Sequence, residues 1–131
     1  MPHIIVDYSA NLDAKADVGK LCEALHAAAL TTPYFELGAV RVRALRCGHY
    51  AVADQLPENA YAHIMVRIGE GRSDDAKKEM GEVLWSAATA FFGPLFATPH
   101  FALTLEIVEI DGRLSWKKNA IHPRIRGTDK K

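Results

Sequence analysis

Residues 3–6 read HIIV, and residues 63–66 read HIMV. A second match follows each of them, because DAK occupies residues 13–15 and again residues 75–77. The offsets are 60 and 62 residues, so one pattern repeats at about half the chain length. Each copy has the pattern strand, turn, helix, strand. Neither copy is large enough to bury a sheet face alone, so the repeat predicts one four-stranded sheet with both helices on one side.

The spacing of apolar residues predicts the elements of each half. In residues 13–30, apolar side chains recur every three or four positions, which is typical of one face of a helix. Ser73 can cap a second helix, which the Gly-Pro pair at 93–94 ends. Arg41 and Arg43 alternate with valines, so both are expected on one face of a strand. The predicted strands are residues 3–8, 37–47, 62–68 and 101–110, with a short return strand at 51–53.

Composition indicates a globular protein with a packed core, because 49% of the residues are apolar and 24% are charged. The 16 basic and 16 acidic residues balance, which disfavours nucleic acid and anionic membranes as partners. Two cysteines are too few for a disulfide framework, and the histidines lack metal-binding spacing, so no metal is expected. No membrane span or secretory signal is recognised, so a cytoplasmic protein is expected.

One domain is expected over residues 1–131, with half-repeats at about 2–58 and 60–112 and a tail at 113–131. The basic residues of the tail are expected to form a solvated end: Arg124, Arg126, Lys130 and Lys131. The run at residues 4–6 suggests a strand buried on both faces, so other subunits would have to cover one face of the sheet. Two folds fit this pattern, the ferredoxin-like sandwich and the tautomerase fold, and periodicity does not separate them.

Pro2 stands directly before the first predicted strand. Removal of Met1 would leave a secondary amine there, and an apolar site or a neighbouring cation lowers the pKa of such an amine. An amine that titrates near neutrality can act as a general base. A proline at the start of a strand is also common for structural reasons, so Pro2 alone does not decide the function.

Together these features resemble the tautomerase superfamily, and within it the 5-carboxymethyl-2-hydroxymuconate isomerases. The resemblance covers nearly the whole chain, in segments 2–6 (PHIIV), 35–43 (FELGAVRVR), 69–73 (GEGRS) and 116–122 (WKKNAIH). It implies an α+β fold with a tandem βαβ repeat, a four-stranded mixed sheet and two helices on one face. It also implies a homotrimeric, cofactor-free isomerase of a small unsaturated carboxylic acid from the degradation of aromatic compounds.

The resemblance assigns roles to four residues. Pro2 would be the catalytic base, Arg41 and Arg72 would bind substrate carboxylates, and Arg43 is the next candidate for that role. The chemistry agrees, because a guanidinium stays charged and grips a carboxylate with two parallel hydrogen bonds. The repeat aligns Ala62 with Pro2, and Ala62 is internal and has no free amine. Each chain would therefore hold one base, and a trimer would hold three sites.

Two departures from the family pattern leave the substrate open. Ala120 stands where a second asparagine is frequent, and Gly38-Ala39 reverses the usual order of these two residues. The alternatives are a tautomerase-fold protein with another substrate, or a ferredoxin-like module that binds a small ligand.

Overall fold

The computed structural model of the protein describes residues 2–129. It contains the strands β1 (His3–Ser9), β2 (Arg41–Cys47), β3 (Ala60–Gly69) and β4 (Phe101–Ile110). The helices are α1 (Val18–Leu30), α2 (Asp74–Phe91) and α3 (Ile121–Asp129). Short 3-10 turns lie at Ala10–Ala14, Leu37–Ala39, Gly93–Ala97 and Gly112–Leu114. None of the helices in this part of the chain is both long and apolar enough to cross a membrane.

The strand order of the sheet is β2-β1-β3-β4. Within each half, the two strands joined by a helix pair in parallel, and the halves meet through the antiparallel pair of β1 and β3. In a ferredoxin-like sandwich, a strand from the other half separates each helix-connected pair. Direct pairing of those strands therefore excludes the ferredoxin-like alternative and confirms the mixed sheet of a tandem βαβ repeat.

Helices α1 and α2 cover one face of this sheet and contact each other, as expected. Both begin at a side-chain cap: Asp17 accepts a hydrogen bond from the Lys20 amide, and Ser73 accepts one from the Ala76 amide. The core combines alternate residues of the central strands with one stripe of each helix. Its fully buried members include Ile4, Val6, Ile64, Val66, Ile68, Leu21, Leu25, Met80 and Leu84.

The opposite face of the sheet is less covered. Buried and half-buried residues alternate through most of β1, and Ile5 points to this open face with His3 and Asp7. In the single chain β1 is therefore buried on one face, and burial of its other face by neighbouring subunits stays a prediction.

Three local predictions are wrong. The first helix begins at Val18 rather than residue 13, because a 3-10 turn occupies Ala10–Ala14. A second 3-10 turn precedes Arg41, where β2 begins. Residues 51–53 form no strand, and Ala53 has a φ of 53°, a left-handed value that an extended strand does not adopt.

Arg124 and Arg126 of the tail are exposed, as their charges suggested, but the tail also forms a helix that contacts the rest of the fold. Asn119 Oδ1 accepts hydrogen bonds from the backbone amides of Ile121 and His122, which satisfies the first donors of α3. Arg126 on α3 forms an ion pair with Glu36. Residues 130 and 131, the last two of the expected solvated end, lie outside the described residues.

Candidate active site

Pro2 is buried at the end of the sheet where β1 and β2 begin and where β3 and β4 end. Its carbonyl accepts a hydrogen bond of 3.4 Å from the Arg41 amide, which ties it to the start of β2. Pro2 lines a cavity of about 600 Å³, which we call the proline cavity. The same wall contains Phe35, Arg72 and the tail residues Lys117, Asn119, His122 and Arg126.

Arg72 is held in the wall of the proline cavity by backbone groups. Its Nη2 donates to the Tyr34 carbonyl at 2.9 Å and its Nη1 to the Gly69 carbonyl at 3.3 Å. The guanidinium carbon lies 5.8 Å from the centre of the Phe35 ring. Gly71 turns the chain just before it, with a φ of 107° that favours glycine. Arg72 is therefore a positioned cation, and the two bonds use two of its five N–H donors.

Arg41 and Arg43 lie on the open face of the sheet, on either side of His3. Arg41 Nη1 is 3.5 Å from His3 Nε2, and Arg43 Nη1 is 3.2 Å from His3 Nδ1. Arg41 lines a second cavity of about 440 Å³, the arginine cavity, together with His3 and Glu70. Arg43 is exposed and is not part of the wall of either cavity.

The surroundings of His3 favour its uncharged form. Burial, and then the charges of Arg41 and Arg43, keep the pKa of its imidazole below the ordinary value. A neutral imidazole has one acceptor nitrogen, so it can accept a hydrogen bond from only one of the two guanidinium groups at a time. His3 can therefore orient an arginine without competing for an anion.

The four residues predicted for the site thus fall into two groups. Pro2 and Arg72 share the proline cavity, whereas Arg41 lines the arginine cavity and Arg43 contacts only its rim through His3. One residue, Lys117, lines both cavities.

The tail closes the proline cavity by packing on the segment before β2. Asn119 Nδ2 donates to the Gly38 carbonyl at 2.9 Å. The His122 ring lies so close to Gly38 that a Cβ on this glycine would come within 2.6 Å of His122 Nδ1. A side chain at position 38 would therefore push the tail away from the cavity.

A bidentate ion pair holds the same segment from the other side. Arg126 donates to both carboxylate oxygens of Glu36, at 2.5 Å each. Glu36 Oε2 also lies 3.2 Å from the buried Nδ1 of His122, although this contact lacks the alignment of a hydrogen bond. The hydrogen bonds from Arg126 lower the pKa of the Glu36 carboxyl.

Sequence reasoning did not identify Glu36, Asn119, His122 and Arg126 as parts of the cavity wall. Three of them lie in segments 35–43 and 116–122, which carried the family resemblance, and these two segments pack together in the structure. The resemblance of both segments to one family was the signal that could have pointed to these residues. Their individual contacts span 81 to 90 residues of sequence, and no local pattern reports such contacts.

Comparisons with known proteins agree with this fold. The family model described as 5-carboxymethyl-2-hydroxymuconate isomerase matches residues 2–125. A relative from Escherichia coli, 5-carboxymethyl-2-hydroxymuconate Delta-isomerase, is 31% identical over 122 residues, which cover 93% of this chain and 97% of the relative.

Solved structures agree as well. The crystal structure of a 5-carboxymethyl-2-hydroxymuconate isomerase from Deinococcus radiodurans R1 is 38% identical, with a TM-score of 0.89 over 95% of this chain and 94% of that one. A structure described as a fused 4-OT wild type asymmetric trimer has a TM-score of 0.60 at 17% identity. It covers 94% of this chain and 98% of that one, and it shows a shared fold.

Proposed function

The chain belongs to the 5-carboxymethyl-2-hydroxymuconate isomerase family, and from this premise we propose that it isomerises 5-carboxymethyl-2-hydroxymuconate with the Pro2 amine as general base. One observation carries the proposal: Pro2 and the positioned guanidinium of Arg72 line the same cavity. A base and an anion-binding group at one cavity are the two requirements for moving a proton on an unsaturated acid.

The proton transfer needs a free amine. With Met1 removed, the nitrogen of Pro2 becomes a secondary amine at the wall of the proline cavity. Burial disfavours the cationic form of such an amine, and the charge of Arg72 on the same cavity acts in the same direction. The neutral amine takes the proton of the 2-hydroxyl, the double bonds shift as this oxygen becomes a ketone, and the protonated amine returns the proton to C5. No atom is gained or lost.

Arg72 and Arg41 serve the charged groups of this substrate. The guanidinium of Arg72 binds a carboxylate and stabilises the negative charge that spreads through the dienolate during transfer. Arg41 binds a second carboxylate in the arginine cavity. Arg43, on the other side of His3, is the next candidate for this role. A muconate has two carboxylates, and the carboxymethyl group adds a third.

The proposal includes a homotrimer. The open face of the sheet carries half-buried apolar residues such as Ile5 and Met65 between polar ones, and neighbouring subunits would cover it. A 4-OT protein of the same fold is described as a trimer. The half-repeat bounds and the cytoplasmic location stay predictions.

The direct test is an assay with 5-carboxymethyl-2-hydroxymuconate, in which product is identified by its spectrum. Arg72→Ala is expected to lower kcat/KM about ten- to hundredfold, because a lost contact to a charged group is worth about 1.5–3 kcal/mol. Arg46→Ala is the matched control, since Arg46 is exposed at the far end of β2 and pairs only with Asp13 in the described chain. No turnover by the unaltered protein, or equal losses in both variants, would refute the proposal.

A further inference from the structure

Lys117 is the one residue common to the walls of the proline and arginine cavities. It lies in the irregular segment between the 3-10 turn Gly112–Leu114 and α3. Its side chain is exposed, and no hydrogen bond or ion pair within residues 2–129 engages its ammonium group. Its position and its charge are therefore both available to a ligand that reaches from one cavity into the other.

The backbone that carries Lys117 is fixed although its side chain is free. Two residues later, Asn119 is bonded to Gly38 and to the first amides of α3. The ion pair of Arg126 with Glu36 holds α3 against the same segment. The ammonium group therefore moves on its four-carbon stem around a fixed point between the two cavities.

The charges around Lys117 favour an anion. Each cavity has one carboxylate in its wall, and each of these carboxylates already has partners. Glu36 is neutralised by Arg126, and Glu70 Oε1 accepts a hydrogen bond from the Gly112 amide at 3.0 Å. Arg72 lines the proline cavity and Arg41 lines the arginine cavity, so each cavity has an arginine in addition to the shared Lys117.

We infer that Lys117 binds the third carboxylate of a triacid substrate and thereby determines the preference for triacids over diacids. The inference rests on the proposed function for the identity of the substrate. Arg72 and Arg41 would bind the two carboxylates in their own cavities, and Lys117 would bind the one that lies between them. Lys118, its neighbour, lines only the arginine cavity and is not expected to have this role.

The test compares two non-isomerising probes by calorimetry: muconate, with two carboxylates, and 3-carboxymuconate, with three. The unaltered protein should bind the triacid more tightly. Lys117→Met should weaken triacid binding about tenfold and diacid binding much less, and Lys117→Arg should restore most of the difference. Added salt should shrink the difference, because the ammonium group is exposed.

Lys20→Met is the matched control, since Lys20 is exposed on α1 and lines neither cavity. An unchanged ratio of triacid to diacid affinity in Lys117→Met would overturn the inference, and so would a loss that follows Lys118→Met instead. An unaltered protein without a triacid preference would overturn it as well. Absence of turnover would refute the proposed reaction alone, because these binding measurements do not depend on it.

Discussion

The two half-repeats carry a histidine at equivalent positions, but the charges around the two histidines are opposite. In the first half, β1 pairs His3 with Arg41 of the parallel strand β2. The ring of His3 lies 3.5 Å from the Arg41 guanidinium and 3.2 Å from that of Arg43. This half presents two cations on the open face of the sheet.

In the second half, β3 pairs His63 with Thr104 of the parallel strand β4. The ring of His63 lies 2.6 Å from the Thr104 hydroxyl and 3.4 Å from the Glu106 carboxylate. Thr104 and Glu106 thus occupy the positions that two arginines occupy in the first half. The repeat preserves the backbone, and side chains alone decide which pair of parallel strands can attract a carboxylate to the open face of the sheet.

Exchanging the strand partners should have the largest effect on this asymmetry. Arg41→Thr combined with Arg43→Glu gives β2 the residues of β4. We expect kcat/KM with 5-carboxymethyl-2-hydroxymuconate to fall about a hundredfold or more, because one carboxylate contact is lost and a repelling charge is added. The core between the sheet and the helices should stay folded, as circular dichroism would show, since neither side chain belongs to it.

The reverse exchange, Thr104→Arg with Glu106→Arg, is the control for this prediction. The second half has the internal residue Ala62 where the first has Pro2, so it gains cations but no base. Steady-state kinetics should therefore stay within about twofold of the unaltered protein. Equal losses in the two double variants would contradict the assignment of the carboxylate-binding cations to β2.

A smaller loss of activity is expected from a substitution in the segment before β2, on which the tail packs. Gly38→Ala would place a Cβ 2.6 Å from His122 Nδ1 and 3.3 Å from His122 Cα, so the tail has to shift. Overpacking of this kind costs about 1–3 kcal/mol of unfolding free energy, measurable by denaturant titration. Displacement of the cavity wall should lower kcat/KM by about threefold to tenfold.

Gly48→Ala is the matched control, because a Cβ at Gly48 would meet no atom within 4 Å. Its unfolding free energy should change by less than about 0.5 kcal/mol. If the two alanine variants were equally stable and equally active, the tail would not shape the cavity.

The smallest expected effect is on the free energy of unfolding at acid pH. The folded-state pKa of His3 is lowered, so the unfolded chain binds a proton to this residue at higher pH than the folded chain does. Stability from this source is complete above the ordinary histidine pKa and falls as the pH drops from there through the lowered pKa. His3→Gln should reduce the loss of unfolding free energy as the pH falls below the ordinary histidine pKa of about 6.5.

His63→Gln is the matched control for this measurement. It removes the equivalent histidine, whose parallel partner strand β4 has no arginine, and should leave the contribution of His3 in place. A profile that flattens in His63→Gln and not in His3→Gln would contradict the assignment.

The sequence predicted the repetitive part of the fold well. Strand β4 has the predicted bounds, β3 extends them by two residues at its start and one at its end, and Ser73 caps α2 as expected. These elements follow from local rules, because alternation and helical spacing are set by which side chains face the core. The parallel pairing within each half was not accessible to periodicity, and the topology was needed to exclude the ferredoxin-like alternative.

The site was predictable only in its residue types. Pro2 and Arg72 do line one cavity, but Arg41 opens into another, because alternation along β2 sends its side chain to the open face. Helix α3 was missed: its cap, Asn119, is local, but the ion pair that holds the helix to Glu36 joins residues 90 apart in sequence. Long-range contacts of this kind leave no periodic signal.

The central claim is that the amine of Pro2 is the base, and the most direct test compares two preparations of one sequence. One has Met1 removed and the other retains it, as verified by intact mass. The nitrogen of Pro2 is an amine in the first and an amide in the second, and an amide nitrogen does not accept the proton. Because general acid–base catalysis contributes about 10²–10⁴-fold, kcat/KM should fall at least about a hundredfold when Met1 is retained. Equal kcat/KM in the two preparations would contradict the claim.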